Sequence, residues 1–275
     1  MRDDIFDAID ALRQCGNAYA VATVVETAGS VSAKTGSKAV IDHNGHIVAG
    51  WVGGGCAESA TCEQALACIE SGETAMMEVD LDDEVLGAGM PCGGHMRVYV
   101  EPVLPRPTLW IMGHGRVAEC LCALAALMDL DVVVNDPLVT ADRYPDALRL
   151  VTDDPDYQEL QPQSQDFVVI ATQHKGDHES MLRALESSAG YIALIASRKR
   201  ARLVLDYLRS EGAEASALER VMAPCGLDLG AMTPEEIALC VISEVVLERR
   251  GGSGMRMRDK LRAEQGLPAL QPVSL

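Results

Sequence analysis

The apolar and polar positions of the chain fall into two regimes. Over residues 4–14, Ile5, Ile9 and Leu12 recur at helical spacing and predict a short amphipathic helix. Tyr19 to Glu26 is rich in β-branched residues and predicts a strand. Lys38–Asp42 and His46–Trp51 flank the turn signal His43-Asn44-Gly45, so a hairpin is expected there. Cys56 to Ser71 has a helical pattern that stops at Gly72. Ala75–Leu81 and His95–Val103 read as two more strands. From Leu109 onward the pattern alternates in βαβ fashion. Strands are expected over 109–113, 131–136, 149–152, 166–172 and 191–197, with helices over 116–129, around 155–160, and over 178–188 and 199–210. A last helix over 233–249 opens with Thr233-Pro234-Glu235-Glu236, a cap, a first-turn proline and first-turn acids.

This alternation predicts an α/β protein. A small N-terminal α+β domain (residues 1–103) is followed by a Rossmann-like, doubly wound parallel sheet domain (109–250). Leu104-Pro105-Arg106-Pro107-Thr108 reads as a linker, because two prolines resist both helix and central strand, and 251–275 reads as a loosely held tail. Charge narrows the partners. Lysine and arginine total 23 against 41 acidic residues, a net charge of −18 without a basic block, so nucleic acid and anionic lipid are disfavoured. The acidic, amphipathic start and the lack of a long apolar run predict a cytoplasmic protein. The nine cysteines form no CxxC pair, so most are expected to be small buried side chains in a reducing compartment.

Two loops break that expectation. Gly53-Gly54-Gly55-Cys56 places a thiol at a helix start, where exposed amides and the positive end of the helix dipole favour an anion, with Glu58 in the first turn. Cys92 has similar company in Met90-Pro91-Cys92-Gly93-Gly94. If the loops face each other, they form a thiol-lined, amide-rich cleft suited to a soft or oxo-metal centre or to sulfur handling. The polar segment TAGSVSAKTGS (27–37) is a further loop able to bring backbone amides near a ligand.

In the second domain, Gly113-His114-Gly115-Arg116-Val117-Ala118 follows a strand and opens a helix, and Asp136 ends the next strand. Gly113 permits a tight turn, Gly115 lets a pyrophosphate approach the helix start, and Asp136 could take ribose hydroxyls, so NAD(P) is a candidate cofactor. A dehydrogenase would also need a proton donor. His174, Lys175, Asp177 and His178 stand at a strand end, but a solvated crossover fits them equally.

Together these motifs resemble the XdhC/CoxI-type accessory proteins of molybdenum hydroxylases such as xanthine dehydrogenase. The resemblance rests on ETAGSVSAKTGSKAVID, GWVGGGCAES and GAGMPCGGHMRVYVEP in the first domain. In the second it rests on LWIMGHGRVAECL, VVVNDP, VVIATQHKGDH, IALIASRKRA and APCGLDLGAMTPEEIAL. It implies a chaperone without turnover of its own. Such a factor binds the molybdenum cofactor, shelters it while a cysteine desulfurase or sulfurtransferase partner adds the terminal sulfido ligand, and delivers it to the hydroxylase apoenzyme. By that resemblance Cys56 and Cys92 are the cofactor contacts and touch the molybdenum centre, with Gly53, Gly54, Gly55, Gly93 and Gly94 shaping their loops. Gly113, Gly115 and Asp136 form the Rossmann-type site. The chain departs from the family's pattern in lacking a proline near Ser32 and in carrying Cys225 where isoleucine is usual. Three readings stand side by side: the accessory factor, an NAD(P)-dependent oxidoreductase using His174 or His178, and a nucleotide-sensing regulatory protein. A homodimer is left open.

Overall fold

The structure is a computed structural model that describes residues 2–80, 94–172 and 176–268. It divides into two compact units, Met1–Arg106 and Pro107–Leu275.

In the first unit, helix α1 (Arg2–Gln14) is followed by β1 (Tyr19–Gly29), β2 (Lys38–Asp42), β3 (Ile47–Gly50), α2 (Cys56–Ser71), β4 (Ala75–Asp80) and β5 (Gly94–Val103). The strands form one antiparallel sheet in the order β3-β2-β1-β5-β4. The expected hairpin is β2–β3, closed around Asn44-Gly45 where the Asp42 carboxylate accepts the Asn44 and His46 amides. Helix α2 packs on one face of the sheet through Ala57, Thr61, Ala65 and Cys68. These small side chains let the helix lie close over Ala20, Ala22, Ile41, Met96 and Val98, all fully buried. Burying a side chain the size of Ile41 or Met96 stabilises by about 1.5–3 kcal/mol.

In the second unit the chain runs β6 (Thr108–Gly113), α3 (Arg116–Leu127), β7 (Asp131–Asn135), β8 (Arg149–Val151), β9 (Phe167–Ala171), α4 (Asp177–Glu186), β10 (Tyr191–Leu194), α5 (Arg198–Ser210), α6 (Ala215–Leu218), β11 (Val221–Met222), α7 (Pro234–Arg250) and α8 (Met257–Glu264). Its six strands are parallel throughout, in the order β11-β10-β9-β6-β7-β8. The chain starts in the middle at β6, winds outward to β8, then returns to β9 and winds the other way. This is the doubly wound arrangement, with its switch point between β6 and β9. β9 and β10 are buried at every position because helices cover both faces. One face holds Ile111, Val134 and Val169 against α3 and α7, and the other holds Met112, Val168 and Ile192 against α4 and α5.

The helix expected around 155–160 is replaced by a turn. Asp154 accepts the Gln158 and Glu159 amides and the Asn135 side-chain amide, meeting locally the donors a helix would have satisfied. Tyr157 then adopts a left-handed φ of 52°, which no helix accommodates. Beyond Gly251, the segment expected to be loosely held carries α8.

Candidate functional site

The first unit brings three of its segments together. Gly53 has φ 118°, reserved in practice for glycine, and a Cβ there would lie 3.4 Å from Ala57 Cβ and 3.8 Å from both Ser32 Oγ and Met96 Cε. Gly94, paired with Gly29 at the end of the β1–β5 ladder, lies so close to the chain that a Cβ would meet Val31 Cγ2 at 2.7 Å and Ser30 O at 2.8 Å. The Ser30–Ser32 segment, the Gly53 loop and the start of β5 are therefore neighbours. Cys56, half-buried, is the first residue of α2. Gly55 at the N-cap offers no side chain to the first-turn amides, and among the described residues a Cβ at Gly54 or Gly55 would meet nothing within 4 Å. The glycine loop thus presents its backbone to open space where the helix dipole favours negative charge. Cys92 and Gly93 lie outside the described residues. Ser32 lies in the 27–37 loop that the sequence marks as able to approach a ligand, whereas Met96 is not singled out and only its placement in the fold reveals it.

Nearly two turns into α2, burial raises the Cys62 thiol above its ordinary range, and Glu58 and Asp42 add to the effect, so Cys62 stays neutral. Among the described residues, no group of three or more His, Cys, Asp or Glu is placed to hold a metal ion.

In the second unit the expected nucleotide residues stand together at the carboxyl edge of the parallel sheet, each engaged by other residues of the same unit. Gly113 has φ 125°, and a Cβ there would strike Ala171 O, so its glycine is required by the packing of β6 on β9. The Gly115 amide donates to the Tyr144 hydroxyl at 3.1 Å. Tyr144 is itself buried, and burial raises its phenol above the ordinary value. Asp136 accepts on both oxygens: Oδ2 lies 2.9 Å from His114 Nδ1, and Oδ1 takes the Leu138 amide at 2.8 Å. The groups meant for pyrophosphate and ribose thus have internal partners.

His174 and Lys175 lie outside the described residues. His178 sits in α4 with its ring edge-on to Tyr207, centroids 4.4 Å apart. Asp177, at the start of the same helix, has a nearly buried carboxylate that accepts from Arg200 Nε at 2.9 Å and from the Thr172 hydroxyl. This cluster ties β9, α4 and α5 together. A second tie is Glu244 of α7, which accepts from the Tyr191 hydroxyl at 2.5 Å and the Gly226 amide at 2.8 Å. That carboxylate anchors the Pro224-Cys225-Gly226 turn. Burial, with Glu244 nearby, pushes the Cys225 thiol up to about 12.

Comparison with known proteins adds to this geometry. The chain is 28% identical over 258 residues to the uncharacterized protein YqeB of Escherichia coli K12, covering 91% of this chain and 47% of that one. It is 29% identical over 159 residues to a probable xanthine dehydrogenase subunit of Bacillus subtilis 168, covering 56% of this chain and 46% of that one. The chain thus spans about half the length of these two relatives. Among solved structures it is similar to a xanthine dehydrogenase from Bacillus halodurans, with a TM-score of 0.48, 20% identity, and coverage of 91% of this chain and 97% of that one. No described helix is long and apolar enough to cross a membrane. Residues 12–80 match the XdhC and CoxI family, and residues 109–245 match the XdhC Rossmann domain. With both matches in sequence order, one on each unit, the chain belongs to the XdhC/CoxI family.

Proposed function

We propose that the chain is an accessory factor for a molybdenum hydroxylase of the xanthine dehydrogenase type. It binds the molybdenum cofactor, holds it while a cysteine desulfurase or sulfurtransferase supplies the terminal sulfur, and passes it to the apoenzyme. Family membership supports the association with xanthine dehydrogenase, as does the description of the Bacillus subtilis relative. The observation that carries the finer reading is the meeting of Ser30–Ser32, Gly53–Cys56 and the start of β5 in the first unit.

That cradle fits the cofactor's chemistry. The cofactor carries an anionic phosphate, which open backbone amides at a helix start can receive, and its metal centre suits a thiol such as that of Cys56. When bound, the cofactor supplies the molybdenum centre. The chain's own residues supply position: Gly53 holds the turn, Gly54 and Gly55 leave room for close approach, and Cys56 offers a sulfur ligand or hydrogen-bond partner. In this proposal Cys92 and Gly93 complete the cradle beside Gly94.

The test is molybdenum content, together with the fluorescence of oxidised pterin, on protein purified from a cofactor-producing host. Cys56→Ala removes one ligand or hydrogen-bond partner, worth on the order of 1–3 kcal/mol, or about a tenfold to hundredfold loss of affinity. Retention that is equal in wild type and Cys56→Ala/Cys92→Ala overturns the assignment of the thiols. Absence of pterin from the wild type overturns the reading as a whole.

A further inference from the structure

Helix α5 concentrates positive charge on a chain whose net charge is −18: Arg198, Lys199, Arg200, Arg202 and Arg209 are basic, and Asp206 is its one acid. Its apolar positions decide how it sits. Ala201, Val204 and Leu208 are buried, the last two in the core on that face of the sheet. Arg198, Arg202, Leu205 and Arg209 follow one another at helical spacing and so form a single stripe along the border of the buried face. Beside that stripe stands Ala223, which follows β11, and together they line a cavity of about 390 Å³. A volume of this order suits a small molecule.

Two of the arginines are already committed, Arg200 to Asp177 at 2.9 Å and Arg209 to Asp206 at 2.8 Å. Among the described residues, Arg198 and Arg202 make no ion pair. Both are exposed, and at one helical turn apart, a rise of about 6 Å, they repel each other. An anion between them relieves that repulsion. Each guanidinium presents paired N–H donors that match the oxygens of a phosphate, so two of them can hold one doubly charged group. Ala201, Leu205 and Ala223 make the rest of the wall apolar. A compact charge with an apolar body fits this lining better than an extended acidic segment, whose charges are spread out. The cavity lies on the β10–β11 side of the sheet, whereas Gly115, Tyr144 and Asp136 belong to the β6–β7 side. We propose that it binds a small phosphate monoester, with the phosphate held by Arg198 and Arg202 and the organic part against Leu205 and the two alanines. Asp206, in the same lining, limits the affinity by occupying Arg209.

Calorimetric titration of the full chain with phenyl phosphate and with inorganic phosphate, at low ionic strength, tests this. Phenyl phosphate is expected to bind severalfold more tightly, because its ring covers the apolar wall. Arg198→Gln/Arg202→Gln is expected to weaken phenyl phosphate by at least about tenfold with the melting temperature unchanged, since both side chains are exposed. Asp206→Asn frees Arg209 and is expected to tighten binding severalfold, an effect that a damaged fold does not produce. Phosphate held in the cradle of the first unit would give the same affinity in all of these proteins. No binding by the wild type, equal affinity for the two phosphates, or an affinity left unaltered by Arg198→Gln/Arg202→Gln or by Asp206→Asn overturns the proposal.

Discussion

Removing the guanidinium of Arg200 takes from the Asp177 carboxylate, almost wholly inside the protein, the ion pair the two residues make. Asp177 has 3% side-chain exposure against 24% for Arg200, and the two meet at 2.9 Å. Breaking a buried pair from one side costs about 3–5 kcal/mol, chiefly because a desolvated charge is left behind. The Thr172 hydroxyl remains and Arg200 is partly solvated, which places Arg200→Ala at the lower end, about 3 kcal/mol. For a unit of this size each kcal/mol moves the melting temperature by roughly 2–4 °C, so a fall of about 6–12 °C is expected in calorimetry. Asp177→Asn removes the charge with which Arg200 pairs. The double variant should therefore lose less than the two single losses added, with a coupling of about 1–3 kcal/mol. Strict additivity, or an Arg200→Ala protein within about 1 kcal/mol of wild type, would refute the reasoning that this ion pair holds α4 and α5 on the end of β9.

Two further outcomes follow from the second unit. If nicotinamide nucleotide is a ligand there, the Tyr144 hydroxyl competes with its phosphate for the Gly115 amide, so Tyr144→Phe should tighten NAD binding by about three- to tenfold in calorimetric titration. Equal affinity in both proteins would show that this amide is not the phosphate donor. Alkaline pH should destabilise the chain, because burial raises Cys225 from 9.0 to about 12 and Cys122 to about 11. Folding favours the neutral thiol, so this stability is present below the unfolded value and is lost as pH rises from about 9 towards the folded values. Near pH ~10.5 the loss from Cys225 is on the order of 2 kcal/mol, and a melting profile no steeper in wild type than in Cys225→Ala would contradict it.

Local chemistry made much of the fold legible. Helix α2 spans Cys56–Ser71 as its pattern predicts, since Gly55 opens it and Gly72 ends it in the left-handed conformation. Helix α7 begins where Thr233-Pro234-Glu235-Glu236 says it should, and the capping box between Thr233 and Glu236 is formed. What escaped the sequence was of two kinds. Elements only about one period long, such as the four-residue α6 and the two-residue β11, carry no repeat to detect. Contacts such as His114 with Asp136, Gly115 with Tyr144, and Asp177 with Arg200 join residues 22, 29 and 23 positions apart. The fingerprint spacing located Asp136, but nothing local marks Tyr144 as the partner of Gly115 or Arg200 as the partner of Asp177. The turn at 154–160 escapes for a related reason: a single aspartate accepting two backbone amides competes with helix formation, and periodicity does not register it.

The two glycine motifs look alike in sequence and differ in what surrounds them. At Gly113 the space a side chain would need is filled by the backbone of β9, and at Gly115 the amide already has a hydroxyl partner. Glycine is required at 113 by packing and at 115 by a φ of 102°, so the backbone of the second unit accounts for both. In the first unit, backbone geometry accounts for Gly53 and Gly55, whose φ values of 118° and 63° belong to glycine. It does not account for Gly54, which has neither a positive φ nor, among the described residues, any atom within 4 Å of a Cβ, yet stands two residues before a helix and a thiol. Nor does packing require that the backbone at Gly54 and Gly55 face open space. An unfilled backbone beside a helix start is what an anionic ligand requires. The weight of the proposed function therefore rests on the first unit, and the second is read as the framework whose surfaces and ties serve it.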